Sequence, residues 1–98
     1  MNLHHATLLI ENVHANILRV QLTWIFSINY SLLPNQKIEI HCISSDSRVD
    51  GGCGVFSQFQ IVYDKDGLQV YPPGSGGAIE DYYVTDPTTK QRIEGTAA

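Results

Sequence analysis

Residues 18–33 read LRVQLTWIFSINYSLL, and alternation governs nearly all of them. Every even position from Leu18 through Val20, Leu22, Trp24, Phe26, Ile28 and Tyr30 to Leu32 is apolar. Arg19, Gln21, Thr23, Ser27, Asn29 and Ser31 fill the odd positions, Ile25 interrupts that polar flank, and Leu33 ends it. Successive side chains of a strand point to opposite faces, so period two gathers the even apolar groups on one side, where a helix would scatter them. The stretch is read as one β-strand over 18–32. At 3.3 Å per residue it spans roughly 50 Å, beyond the roughly 33 Å diameter of a compact domain of this length. Such a strand either bends, through a bulge near 24–26 that switches faces at Ile25, or projects and pairs with another chain.

The segment before it has two readings. Leu3, Ala6, Ile10, Val13 and Ile17 form a helical stripe over 3–17. Alternatively Ala6, Leu8 and Ile10 alternate with Thr7, Leu9 and Glu11 as a strand, and 12–16 is a turn. The His, Asn, Thr and Val content is poor for a helix, which favours the strand. After a turn at Leu33-Pro34-Asn35-Gln36, residues 37–43 alternate with Ile38, Ile40 and Cys42 inward. They are expected to pair with 18–32 as an antiparallel hairpin.

Ser, Asp and Gly make 44–54 a loop. In 55–63, Val55, Ser57, Phe59, Ile61 and Tyr63 share one face, opposite Phe56, Gln58, Gln60 and Val62. Asp64-Lys65-Asp66-Gly67 is a hairpin turn with glycine at its left-handed position, returning through 68–71. Small residues and prolines interrupt 72–77; 78–85 is a strand, 86–89 a turn, 91–94 a short last strand, and the tail frays from about 95. Six or seven strands with short connections predict one all-β, mainly antiparallel domain over 1–98, a small sandwich or barrel. The alternative is an α+β fold with a helix over 3–17 packed on an antiparallel sheet.

The chain carries six Lys and Arg, well separated, and a net charge of −4. Nucleic-acid binding draws on clustered cations that displace counterions, and anionic membranes need the same clusters, so neither partner is expected. No basic start with a continuous apolar run opens the chain and no segment is apolar over a bilayer's width, which points to a cytoplasmic protein. In that compartment Cys42 and Cys53 stay reduced, although their separation would permit a disulfide.

Chemistry-bearing residues converge weakly. His4, His5, His14 and His41 with the two cysteines include no pair at structural-zinc spacing, so no metal or cofactor is expected. An enzyme would have to use the 41–54 loop, with His41 as base and Cys53 or Asp50 as its partner, but no nucleophile signature accompanies them. The aromatics Trp24, Phe26, Tyr30, Phe59, Tyr63 and Tyr71 are expected to fill the core or to line a cavity for a small apolar ligand. Ile25, Phe56, Val62, Tyr82 and Val84 fall on otherwise polar faces and would merge into a patch for a second subunit, a dimer first. The reading that follows is a non-catalytic, homo-oligomeric β-rich binding module, with a small-molecule-binding barrel as the alternative.

Overall fold

The computed structural model describes residues 3–45, 59–72 and 79–97, His4 by its backbone alone. Residues 46–54 of the expected loop over 44–54, residues 55–58 of the expected strand over 55–63, with them Asp50, Cys53 and Phe56, and the stretch 73–78 lie outside the described residues. Eight strands and no helix occur among those described: β1 (His4–Glu11), β2 (Leu18–Thr23), β3 (Ser27–Leu32), β4 (Lys37–Ser44), β5 (Gln60–Asp64), β6 (Gly67–Tyr71), β7 (Ile79–Thr85) and β8 (Thr96–Ala97). They form two open sheets stacked as a sandwich, sheet A in the order β1-β4-β7 and sheet B in the order β5-β6-β2-β3-β8. Neither closes into a barrel. Pairing is antiparallel except between β2 and β6. The helical reading of 3–17 is overturned, because β1 pairs with β4 along its whole length, from His4 with Ser44 to Glu11 with Lys37.

The long strand over 18–32 is not one strand. The chain folds back at Trp24-Ile25-Phe26, so that Val20 pairs with Tyr30 and Leu22 with Ile28. A straight strand of about 50 Å would have outrun the 42 Å longest dimension of the molecule. The turn keeps even residues opposite even residues, so the apolar side chains of both arms still share one face. Trp24 N–H donates to the Phe26 carbonyl (2.9 Å), Trp24 and Phe26 meet edge to face at 5.5 Å, and both rings lie against Tyr82 of the other sheet. Ile25 sits at the tip, 82% exposed, with no bulge beneath it.

The expected hairpin between 18–32 and 37–43 is corrected too. The turn at 33–36 carries the chain across the sandwich, and β4 pairs with β1 and β7 instead. Asn35 takes φ 67°, a backbone that asparagine tolerates. The 12–17 connection crosses beside it, and fully buried Asn12 ties the two together. Asn12 Nδ2 donates to the carbonyls of Asn16 (2.8 Å) and Leu32 (2.9 Å), while its Oδ1 accepts from His14 N–H (3.0 Å). Its backbone bonds Gln36 and Asn35. The β5–β6 turn forms as expected, with Gly67 at φ 124° where a Cβ would run into the Arg19 carbonyl.

The core joins Val20, Leu22, Tyr30, Leu32 and Val70 of sheet B to Ile10, Ile38, Ile40, Cys42, Tyr82 and Val84 of sheet A. Tyr82 O–H donates to the Val70 carbonyl at 3.0 Å, a buried bond from sheet to sheet. In place of a strand over 91–94, the chain makes one bridge between Arg92 and Thr85. Residues 96–97, expected to fray, pair with Asn29 and Ile28. Gly95 permits this, since a Cβ there would meet the Ile28 side chain and the Asn29 carbonyl.

Candidate functional site

On sheet A the odd positions of β1 and β4, and those of β7 from Asp81 onward, face outward and bring together side chains that lie far apart in the chain; a register shift between Ile43 and Ser44 turns Ile79 to the core. His41, 8% exposed, is their centre. Its Nδ1 lies 2.8 Å from His5 Nε2; its Nε2 lies 2.7 Å from Thr85 Oγ1 and 3.1 Å from Glu39 Oε1. Burial lowers the His41 pKa, and the nearby His5 and Lys90 add to this against the opposing Glu39 carboxylate. His41 is therefore neutral near pH 7. A carboxylate only accepts, so Nε2 carries the His41 proton, Nδ1 is the acceptor, and His5 Nε2–H is the donor. The Tyr83 ring stacks on His41 at 4.8 Å, the Arg92 guanidinium lies 4.1 Å from the Tyr83 centroid, and Arg92 pairs with Asp81 at 2.6 Å. Both His41 nitrogens are thus engaged within the protein. Among the described residues no group of three or more His, Cys, Asp or Glu is placed to hold a metal ion.

The outer face of sheet B is arranged differently. Three adjoining hollows of about 370, 380 and 130 Å³ open there and round its margins, the first of them at the β3 edge down to Tyr30, Leu32 and Ile38 of the core, and Arg19 lines all three. The first runs along β3 and the tail beside Asn29, Ser31, Gln36 and Glu94. β8 covers β3 only at Ile28 and Asn29, so among the described residues the edge at 30–32 has no paired strand, and this hollow opens on it. The second lies between Ile17, Ser31, Tyr63 and the 64–67 turn. The third continues over Gln21, Asn29 and Gln69. Asp64 is engaged by the Asp66 N–H (2.8 Å) and by Gln69 Nε2 (3.1 Å). The Arg19 side chain makes no ion pair or hydrogen bond to any described residue. A guanidinium bonded to no described residue, flanked by amides and a hydroxyl with Asp64, Asp66 and Glu94 at the margins of the same hollows, is a site for one anionic group of an extended backbone.

The six aromatics expected to line one cavity separate into different settings. Trp24 and Phe26 pack on Tyr82, and Phe59 packs against the core. Tyr30 is buried, its hydroxyl pKa raised by burial and by Glu94, and it borders the first hollow. Tyr63 is 70% exposed beside the second, and Tyr71 bonds Gln69 at 3.1 Å. Of the residues expected on an outer patch, Ile25 and Val62 are exposed but Tyr82 and Val84 are not: they are 5% and 1% exposed and face the core. The phase of β7 sets this, since Val84 pairs with inward-facing Ile40 and Tyr82 with Cys42. Cys42 is a free thiol, its pKa pushed up to about 11 by burial and by Asp81.

Sequence reasoning passed over Arg19, Asn29 and Ser31 as site residues and Asn12 as a structural one. The first three were in plain view as the polar flank of the opening alternation, but only the hairpin sets Arg19 opposite Ser31. No family model matches the chain, and neither a curated protein nor a solved structure does. No helix among the described residues is long and apolar enough to cross a membrane.

Proposed function

We propose that this chain is a non-catalytic, homo-oligomeric binding module of the cytoplasm that holds an extended acidic peptide segment across the outer face of sheet B. The observation that carries the reading is the unengaged Arg19 guanidinium where the three hollows meet. A carboxylate on the incoming segment would take the guanidinium bidentately, with Asn29, Ser31 and Gln36 available to its backbone. The edge of β3 at 30–32, paired with no strand among the described residues, offers that backbone a strand to pair with. Catalysis is set aside because His41, the best-placed base of the sequence, has both nitrogens bonded to protein groups. A ligand inside a barrel is set aside because the sheets stay open and the aromatics do not converge.

Fluorescence polarisation tests the reading. The probes are two pools of labelled hexapeptides, identical except that one carries a central Asp or Glu and the other the matching amide. The acidic pool binds about tenfold more tightly, as one charge-assisted contact implies. Arg19→Ala removes the difference. Failure of both pools to bind, or binding indifferent to Arg19→Ala, overturns it.

A further inference from the structure

Sheet B is five strands wide and sheet A three. The chain leaves the edge of β7 at Ile93, whose N–H bonds the Val84 carbonyl, and reaches the edge of β3 at Thr96. Three residues reach about 10 Å, the usual spacing of stacked sheets. So β7 lies on the β3 side of the sandwich, and β5 overhangs at the other side, past the last strand of sheet A. Exposure records this. Ile61 pairs with fully buried Val70, and Tyr63 with Leu68, which packs on the core. Paired residues share a face, so Ile61 and Tyr63 are on the inner face of sheet B. They are nevertheless 46% and 70% exposed, more than outward Val62 at 39%.

β5 is also an edge left open to pairing. Asp64 and Gly67 close a two-residue turn, so their backbones bond each other, and by alternation those of Gln60 and Val62 bond β6 as well. The N–H and carbonyl groups of Ile61 and Tyr63 therefore point away from β6, and no described strand meets them. Edge strands are ordinarily protected from foreign pairing by a charge, a proline or a bulge. Gln60 to Tyr63 has none of these: the four residues carry no charge and pair with β6 in unbroken register. The first charge is Asp64, and its carboxylate is held by the Asp66 N–H and by Gln69.

We infer that a second copy of this chain takes that edge: β5 pairs antiparallel with β5 of its partner about a two-fold axis at Val62, joining the two B sheets into one. This rests on the homo-oligomeric reading above and names its surface. Inner and outer faces stay matched only if residues of equal parity pair. Of those registers, the one centred on Val62 alone pairs every residue of β5 with a residue of the copied strand. It sets Ile61 opposite Tyr63 of the partner subunit on both sides of the axis, a β-branched side chain against an aromatic one on the inner face. Each such pair exchanges two backbone hydrogen bonds. On the outer face Val62 meets its own copy, and Gln60 meets Asp64 of the partner subunit. Centring on Tyr63 would put Asp64 opposite valine, and centring on Ile61 would draw in Phe59, which packs against the core of its own chain. The A sheets are set back from the joint in both copies and do not meet. Ile61, Val62 and Tyr63 leave roughly 300 Å² open per chain, so the joint buries about half of what the smaller stable interfaces bury. The dimer is therefore a weak one, with a dissociation constant on the order of 100 μM.

Sedimentation equilibrium of the full chain up to about 1 mM, with and without Val62→Lys, and oxidative cross-linking of Val62→Cys and Ile61→Cys in a Cys53→Ser background, test this. The wild type dimerises across that range, and Val62→Lys raises the dissociation constant at least about tenfold by setting two lysines directly opposite each other. Val62→Cys cross-links, because the two side chains meet at the axis, and Ile61→Cys does not. A wild type that stays monomeric throughout overturns both the interface and the homo-oligomeric reading. A dimer untouched by Val62→Lys and not cross-linked through Val62→Cys overturns this interface alone. Cross-linking through Ile61→Cys alone keeps the edge and overturns the register.

Discussion

Arg92 and Arg19 lie at outward surfaces of opposite sheets and have opposite surroundings. Arg92 stacks over Tyr83 and pairs with Asp81, and Tyr83 stacks on a histidine whose ring nitrogens are both bonded. Arg19 projects among hollows lined by amides, a hydroxyl, Lys65 and the carboxylates of Asp64, Asp66 and Glu94, and pairs with no described side chain. On sheet A the polar groups satisfy one another, which rigidifies the face and leaves little for a ligand. On sheet B the side chains of Arg19, Asn29 and Ser31 are held by the strands and bonded to no described residue, which is what a recognition surface needs. Polarity alone therefore does not mark a binding face; how much of it is already internally bonded does.

Breaking the satisfied side should have the largest effect. His41→Ala leaves buried Thr85, half-buried Glu39 and exposed His5 without their partner and opens a small cavity, costing about 2–4 kcal/mol in urea unfolding. The same histidine gives a pH signature. Its folded pKa is lowered, so the unfolded chain takes up the proton first. Stability from this group is complete above the unfolded value of about 6.5 and falls as pH drops from there toward the folded pKa, below which it falls no further. Melting temperatures between pH 7.5 and 5.5 should decline, less steeply in His41→Ala; equal slopes would remove His41 as the cause. Arg92→Ala comes next. The Arg92–Asp81 side chains are 59% and 39% exposed, so solvent screening holds the loss to about 0.5–1 kcal/mol. Arg19→Ala is smallest, within about 0.5 kcal/mol of wild type. A larger loss would mean that Arg19 is structural after all and would dissolve the contrast with Arg92.

The two hairpins show what the sequence makes legible. At Asp64-Lys65-Asp66-Gly67 the turn is written locally: Asp64 Oδ1 caps the Asp66 N–H, and glycine sits where a side chain would collide. At Trp24-Ile25-Phe26 nothing local announces a turn. The aromatic packing that holds it comes from Tyr82, far along the chain. Because the turn preserves parity, alternation continues through it unbroken, and period two cannot tell a strand from such a hairpin. The strands and most of their faces were therefore readable, but not which sheet each joined. Alternation specifies a face, not a neighbour, and the crossings at 12–17 and 33–36 depend on Asn12, whose bonds span both loops. The Arg19 surface was half readable for the same reason: its side chains stand in the polar flank, but their assembly awaits the pairing of β2 with β3 and β6.

The aromatic tip of β2–β3 has an optical consequence. Trp24 is the sole tryptophan, and it sits at the far end of the hairpin from the Arg19–Ser31 pair. With Tyr82 at 6.4 Å, its emission is tied to the two layers staying in register with each other. Light excited in the tyrosines and emitted by this one indole would follow the parting of the layers during denaturation and stay quiet while the opposite end fills. The molecule thus carries a built-in gauge that separates loss of fold from occupancy.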